Sequence, residues 1–543
     1  MNRLLSPLKP RFLTLTVVVL ATVVVAGFMW RNYAFDIWWD LRLGALIGLC
    51  LLGVYDLFQT RHSILRNYPI AGHMRFLLED FRPEIRQYFL EADKEGAPFS
   101  RDKRAIVYQR SKKVLSSRPF GTLYDVYDEG YEWVRHSIMP NPVGNPNFRI
   151  WIGGPDCKQP YSSSVLNISA MSFGSLSANA IRALNKGASM GGFAHDTGEG
   201  GVSAYHKEYG GDLVWELGSG YFGARHLDGT FSPERFAETA ANPQIKMVEL
   251  KLSQGAKPGH GGVLPAAKVS AEIAAARGVP QGVDCISPAR HSTFGTPIEL
   301  LQFVAQMREL SGGKPAGFKL CVGHRWEFLA ICKAMLETGL YPDFIVVDGK
   351  EGGTGAAPLE FMDHIGMPLR EGLTFVHNAL VGIGARDRIR VGASGKIITA
   401  FDVARVMALG ADWCNVARGF MFAIGCVQSM SCHTDHCPTG VATQDETRQR
   451  ALVVPDKAER VMNFHNQTNK ALAEFVAAAG LGHPSEFTTA HFSRRVSADE
   501  VLSLADCYPA LEPGALLEGT LDPRFMHAWA VADAASFRPR ELG

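Results

Sequence analysis

The chain carries almost no excess charge. Its 543 residues hold 55 Lys and Arg against 54 Asp and Glu, a formal net charge of +1 at pH 7. No bulk field therefore draws it to a polyanion, and no nucleic-acid partner is expected. The ten cysteines are mostly dispersed, unlike the dense framework of a small secreted domain, and a reducing compartment fits them better. Neither nucleotide motif is present. The glycine-rich stretch Asp348 to Pro358, DGKEGGTGAAP, lacks the strand–GxGxxG–helix context of a dinucleotide site and the lysine of a Walker loop, so neither NAD nor ATP binding follows from it. Residues 61–154 contain no catalytic motif. They are polar, with aromatics and short helical patterns such as Pro69 to Ala92, and read as an adaptor.

Long apolar runs are confined to the N-terminus. Phe12 to Trp30 has no charged residue, and about 20 such residues cross a bilayer core. A second run, Leu43 to Tyr55, is extended by Ile37, Trp38 and Trp39. Arg3, Lys9 and Arg11 precede the first run; Arg61, His62 and Arg66 follow the second. The positive-inside rule then predicts a transmembrane hairpin in the inner (cytoplasmic) membrane, with the remaining chain facing the cytoplasm. A cleavable signal peptide is the competing expectation, since Ala21 and Ala26 also suit that template.

From Val165 onward short β-prone runs alternate with helical stretches. Eight strands are predicted: Val165–Met171, Gly192–Asp196, Gln244–Leu252, Val283–Ser287, Ala316–Val322, Phe344–Asp348, Ile389–Ala393 and Trp413–Ala417. Helices are predicted over Ala178–Ser189, Ala266–Arg277, Pro297–Leu310, Arg325–Thr338 and Phe401–Leu409. This alternation predicts an α/β fold, a (β/α)8 TIM barrel with its site at the carboxyl ends of the strands. An open doubly wound sheet is the alternative.

Three cysteines, Cys426, Cys432 and Cys437, fall within twelve residues as C-x5-C-x4-C, with Pro438 next. Three soft ligands on one loop suit an iron–sulfur cluster; packing or a disulfide are the other outcomes the spacing allows. In such barrels a phosphate commonly binds the loops after strands seven and eight. Those loops carry Ser394, Gly395 and Lys396, then Arg418 and Gly419. Backbone amides, a hydroxyl, cations and the helix starting near Ala400 suit the phosphate of a flavin mononucleotide (FMN), although ordinary helix-entry turns look similar. Glycines flank Glu199 and lie near Lys257, exposing a carboxylate for proton handling and an ammonium for an anion; each also fits a solvated turn. Lys319 lies in an apolar strand and needs an anionic partner, which the N1 and O2 edge of a reduced flavin would supply.

These segments together resemble the FMN-binding synthase domain of glutamate synthases. The matches are SAMSFGSLS (Ser169–Ser177), DTGEGG, KLSQGAKPGHGGVLP, CISPARH, EGGTGAAP, ARDRIRVGASGKIITAFDVA and the cysteine triple followed by PTGVATQD, in one order over Val165 to Asp445. The resemblance implies FMN beside a 3Fe-4S cluster on Cys426, Cys432 and Cys437. It implies that electrons pass through the cluster to FMN, and that reduced FMN gives hydride to the imine of 2-oxoglutarate and ammonia, forming L-glutamate. Glu199 and Lys257 then fall at the catalytic centre, Lys257 and Arg277 bind the oxo acid, and Met171, Ser172, Gln254, Lys319, Ser394 and Gly395 contact the flavin.

The chain also departs from the family. Val263 stands where a glutamine is common, and His260 where an acidic residue is common, which leaves the oxo acid and the amine open. The chain begins Met1-Asn2, so no glutaminase nucleophile is expected at its start, and with about a hundred residues after Asp445 the long segment that follows the synthase domain in complete enzymes is not expected either. The electron donor is therefore expected to be external, such as ferredoxin, and the nitrogen donor free ammonia or an amine. Two alternatives stay open: methylamine/glutamate-type amine transfer on the same barrel, or a membrane-tethered electron-transfer module. The expected organisation is an anchor over 1–60, an adaptor over 61–154, the FMN-binding barrel over 155–450 and a helical tail over 451–543.

Overall fold

The computed structural model describes residues 9–32, 36–114, 117–519 and 522–541; Arg3 lies outside them. The chain divides into two compact units, Met1–Arg101 and Asp102–Gly543. The first is built on α1 (Leu13–Asn32) and α2 (Ile37–Phe58). Their 20 and 22 residues run roughly 30 and 33 Å at the α-helical rise, enough to cross a bilayer core. Asp36 caps α2 by accepting from the backbone N–H of Trp38 and Trp39, both at 2.9 Å. Both helices turn large apolar side chains outward: Val24 is 68% exposed and Leu51 66%. Asp56 is buried near the end of α2 and ties it to the following segment, accepting from Ile70 N at 2.9 Å and contacting His73 Nε2 at 2.9 Å.

The second unit is a closed barrel of eight parallel strands: β1 (Leu166–Ile168), β2 (His195–Asp196), β3 (Leu213–Leu217), β4 (Ile245–Lys251), β5 (Ala316–Leu320), β6 (Phe344–Asp348), β7 (Arg390–Ser394) and β8 (Trp413–Val416). They neighbour one another in chain order, and β8 closes on β1 through Cys414 opposite Leu166. The fold is the expected (β/α)8 barrel. Helices predicted over Pro297–Leu310 and Arg325–Thr338 form with those bounds. Thr296 and Glu299 make a capping box around Pro297 at the start of the former, a stop-and-start signal the sequence carries locally.

One predicted strand is corrected. Val283–Ser287 is not in the barrel; Cys285–Ile286 pairs antiparallel with Val263–Leu264 in the excursion after β4, and Val283 and Ile286 are 54% and 65% exposed. The third barrel strand is instead Leu213–Leu217, LVWEL, whose central Glu216 interrupts the apolar run that marks a buried strand. The helix expected over Ala266–Arg277 divides into a 3-10 turn, Ala266–Lys268, and a helix, Ala271–Arg277, capped by Ser270.

An antiparallel hairpin, Arg149–Ile152 with Tyr161–Ser164, brings Ile152 and Tyr161 into an apolar cluster with Ala194, Val214, Met247, Phe344, Val346 and Trp413. The tail adds a long helix, Val454–Ala478, packed on Ala178–Gly191, and two strands, Phe492–Arg495 and Val501–Ser503, that form a sheet with Glu132–Val134. At the long helix a Cβ on Gly187 would lie 2.5 Å from Val461 and 2.7 Å from the Ala458 carbonyl oxygen, so glycine sets the approach. Gly317 plays the same part between β5 and β6, where a Cβ would meet the Phe344 carbonyl oxygen at 2.1 Å. Gly317→Ala is expected to lower the unfolding free energy by about 1–3 kcal/mol. Chemical denaturation would read this as a lower midpoint at unchanged m-value; an unshifted midpoint would show that the two strands part there without cost.

Candidate functional site

Strand alternation aims four ionisable side chains from adjacent strands into the barrel: Asp196 on β2, Glu216 on β3, Glu249 on β4 and Lys319 on β5. All are at most 4% exposed. The register sets Glu216 directly opposite Glu249, and Lys319 directly opposite Lys251 at the end of β4. Like charges facing across a ladder repel, and the cross pairs relieve this. Lys319 Nζ donates to Glu216 Oε2 in a close ion pair and lies 3.6 Å from Glu249 Oε1; Lys251 Nζ lies 3.9 Å from Glu216 Oε1 and 3.2 Å from Glu199 Oε2. The anionic partner expected for Lys319 is thus supplied by the protein itself. Asp196, Glu216, Glu249 and Lys251 were not singled out from the sequence. A charged residue inside each of the runs LVWEL and MVELK was the available signal.

Electrostatics follow from burial. Asp196 is pushed up to about 7 by burial and then by Glu216, against the pull of Lys319. Glu249 is pushed well above the ordinary carboxyl range by burial and by Asp196. For Lys319 burial opposes the charge, but Glu216, Glu249 and Asp196 outweigh it and hold the ammonium protonated. Glu199 moves the other way: burial raises it, yet Lys251 overcomes that and keeps it a carboxylate. Lys257, 2% exposed, is lowered to about 8 by burial, with Lys251 adding and Glu199 opposing.

Arg277 packs on Gly200, the neighbour of Glu199, where a Cβ would lie 2.8 Å from Nη2, and both Arg277 and Lys257 help Lys251 hold Glu199 ionised. Gly262 packs on Glu199, where a Cβ would sit 2.0 Å from Oε1. Arg277 is 6% exposed, donates to the Phe173 carbonyl at 3.1 Å and lies over the Phe222 ring at 5.1 Å. Val263 stands on the short Val263–Leu264 strand, and His260 packs edge-on to Phe361. Gln254 accepts from Lys251 at 3.3 Å, and Met171 and Ser172 touch the turn at Gly198, where a Cβ would lie 2.7 Å from Ser172 N.

On the opposite side of the mouth, Ser394 donates to Asp348, whose other oxygen accepts from Gly255 N at 2.8 Å. Gly395 and Lys396 both have positive φ, 152° and 49°, a turn that presents backbone amides. Arg418 donates to the Thr354 carbonyl at 3.0 Å, next to Gly419 at the start of Arg418–Ala423. The helix Ala400–Ala408 is already capped at its N-terminus: the Asp402 carboxylate accepts from Ile398 N and Thr399 N at 3.2 and 3.0 Å. The turn at Gly395–Lys396, rather than that helix end, is the better anion cradle.

The cysteine loop follows β8. All ten cysteines are free, so the spacing's disulfide outcome does not form. Cys426 and Cys437 are buried and Cys432 half-buried. Gln428 N donates to Cys426 Sγ at 3.5 Å, and the Cys437 sulfur takes hydrogen bonds from Thr439, Val441 and Ala442, which hold its thiol below the usual range despite burial. Burial pushes Cys426 up to about 11. The loop is laced to the segment after β1: Ser177 Oγ donates to Gly440 O at 2.7 Å, and Gln444 Nε2 donates to Gly174 O and Leu176 O, each at 3.0 Å.

Residues 157–482 match the family described as the conserved region in glutamate synthase. The chain is 37% identical over 492 residues to the glutamate synthase large subunit-like protein YerD of Bacillus subtilis, covering 83% of this chain and 93% of that protein. It is 35% identical over 315 residues to the archaeal glutamate synthase (NADPH) of Methanocaldococcus jannaschii, 58% of each chain. The glutamate synthase (NADPH) large chain of Bacillus subtilis is 34% identical over 320 residues, 57% of this chain and 20% of that one.

Removing Lys319 tests the charge balance of the barrel. In Lys319→Met the carboxylates lose their chief cation, so the already raised folded-state pKa values of Asp196 and Glu249 move further above the unfolded value of about 4. The folded variant then binds more protons than the unfolded chain, and its stability falls as pH climbs from about 4 towards 8. A loss of about 3–5 kcal/mol is expected at pH 8, shrinking at pH 5. Chemical denaturation at the two pH values measures it; an equal loss at both would assign Lys319 a packing role instead.

Proposed function

The chain belongs to the family of the conserved region in glutamate synthase, and on that premise we propose that it is a glutamate synthase-like oxidoreductase. It combines 2-oxoglutarate, an ammonium ion, two electrons and two protons into L-glutamate and water. The observation that carries this reading is the lacing of the cysteine loop to the loop of Met171 and Ser172, through Gln444 and Ser177. That contact joins the loop of the three thiols to the segment after β1, which supports a cluster near the proposed centre of Glu199 and Lys257.

The residues fit the two groups the family implies. For FMN, the Gly395–Lys396 turn with Ser394, Arg418 and Gly419 suits the phosphate, while Met171, Ser172, Gln254 and Lys319 would meet the ring. When bound, FMN supplies the hydride. For a 3Fe-4S cluster, Cys426, Cys432 and Cys437 are a soft donor set, and the sulfurs of Cys426 and Cys437 already accept N–H groups, as cluster ligands do. When bound, the cluster is the inlet for single electrons from an external donor such as ferredoxin.

The chain's own groups divide the remaining work. Glu199 stays ionised and accepts the ammonium proton that must leave before nitrogen can attack. Lys257, lowered to about 8 by burial and still an ammonium at pH 7, binds the oxo acid and gives a proton to the departing oxygen. Arg277 supplies a second cation for a substrate carboxylate. Val263 offers no hydrogen bond where it stands, so recognition rests on these charges. α1 and α2, almost wholly exposed and apolar, anchor the enzyme in the inner membrane, with the barrel on the cytoplasmic side.

Anaerobic purification with absorbance and electron paramagnetic resonance tests this assignment. Flavin bands and a cluster signal are expected, and Cys432→Ser is expected to lose the signal while keeping the flavin. Flavin without any signal after iron and sulfide reconstitution would remove the electron inlet. With reduced donor, ammonium and 2-oxoglutarate the wild type is expected to form glutamate, and Glu199→Gln to lower kcat roughly 10²–10⁴-fold. Turnover only with methylammonium would redirect the reading to amine transfer.

A further inference from the structure

The carboxylates inside the barrel outnumber the cations that face them. Asp196, Glu216 and Glu249 each offer an oxygen within 4.8 Å of the others' oxygens. Facing them are Lys319 from β5 and Lys251 from β4, with Asp348 of β6 acting on Lys319 and Glu199 on the far side of Lys251. Within the inner cluster alone, three acids against two bases leave one negative charge among side chains no more than 10% exposed, and Lys251 is shared with Glu199 besides. Glu249 Oε1 is buried and has no hydrogen-bond partner. A metal ion is not needed to fill the gap, because the Lys319 ammonium already stands among the carboxylates. The missing positive charge is a proton.

We propose that Asp196, Glu216 and Glu249 share one stored proton, and that Lys251 passes it to Glu199 during turnover. Lys251 stands between the two ends of the route. Lys251 Nζ is 3.2 Å from Glu199 and 3.9 Å from Glu216. Once Glu199 has returned its ammonium-derived proton to the departing oxygen, the Lys251 ammonium gives it a second one, which replaces the proton that Lys257 gave up. The resulting Lys251 amine takes a proton from the carboxylic acid of the cluster, leaving a carboxylate there. Solvent returns the proton between turnovers. No electrons move in these steps. The raised affinities of Asp196 and Glu249 for a proton agree with storage near neutral pH. The relay rests on the proposed role of Glu199; the store does not. It meets a requirement of the overall reaction, which consumes two protons in an enclosed site. Lys251 is a positioning and relay residue, acting through Glu199.

Infrared pH-difference spectroscopy on the full-chain holoprotein tests the store. Between pH 6 and 9 the wild type is expected to lose one protonated-carboxyl C=O band, shifted in D2O. The band should be absent from Glu249→Gln and from Asp196→Asn, the second variant guarding against misfolding of the first. No such band in wild type at pH 7, or one that persists in both folded variants, overturns the proposal. For the relay, Lys251→Met is expected to lower kcat at least roughly tenfold and to flatten its pH profile while flavin binding is kept; kcat within twofold of wild type overturns it. If the wild type forms no glutamate, the function and the relay fall together, and the band still decides the store.

Discussion

Two pairs of like charges face one another across neighbouring strands of a closed barrel, and their mutual compensation is the constraint on which the site depends. Glu216 opposite Glu249, and Lys251 opposite Lys319, would each be repulsive alone. Set together in a dry interior, they become an alternating lattice in which every charge has an opposite neighbour. The lattice fixes the lysine side chains without a ligand. It also holds Glu199 ionised at its upper edge, so the state of a mouth residue is determined by groups at the barrel centre.

Barrel interiors of this class are ordinarily filled by branched apolar side chains. Here such a layer exists lower down, where Tyr161 and Ile152 of the closing hairpin meet Val214, Met247, Phe344 and Trp413. Above it the polar layer begins. The apolar layer keeps water out from below, which strengthens the ion pairs above it and makes an unbalanced carboxylate too expensive to leave charged. Packing and electrostatics are thus parts of one arrangement.

The cysteine loop is joined to this centre by short contacts rather than by chain proximity. Gln444 bonds two carbonyls of the segment after β1, and Ser177 bonds the loop in return. Lys268 reaches the same segment, donating to Ser175 O at 2.8 Å. The segment from Met171 to Ser177 is therefore common ground between the barrel mouth and the three thiols. Positive φ at Gln428, Met430 and Asp435 shows how tightly the loop is wound to bring its cysteines inward.

Much of this was legible in the sequence, for local reasons. The alternation of short β-prone runs with helical stretches marked the helices Pro297–Leu310 and Arg325–Thr338, and glycine-rich strand ends marked the mouth, because those signals lie within a few residues of one another. The cysteine spacing and the apolar N-terminal runs were equally local. The eight-strand count came out right although one member was wrong: Val283–Ser287 looked apolar but lies at the surface, while Leu213–Leu217 was hidden by Glu216. A carboxylate in a strand reads as solvent-facing until its partner is known, and the partner, Lys319, is 103 residues away. By itself, then, the sequence determined the barrel, the family and the residue types at the mouth. Only the tertiary structure decided which charges meet, since strand register and barrel closure, not chain neighbourhood, choose the partner of a buried ion.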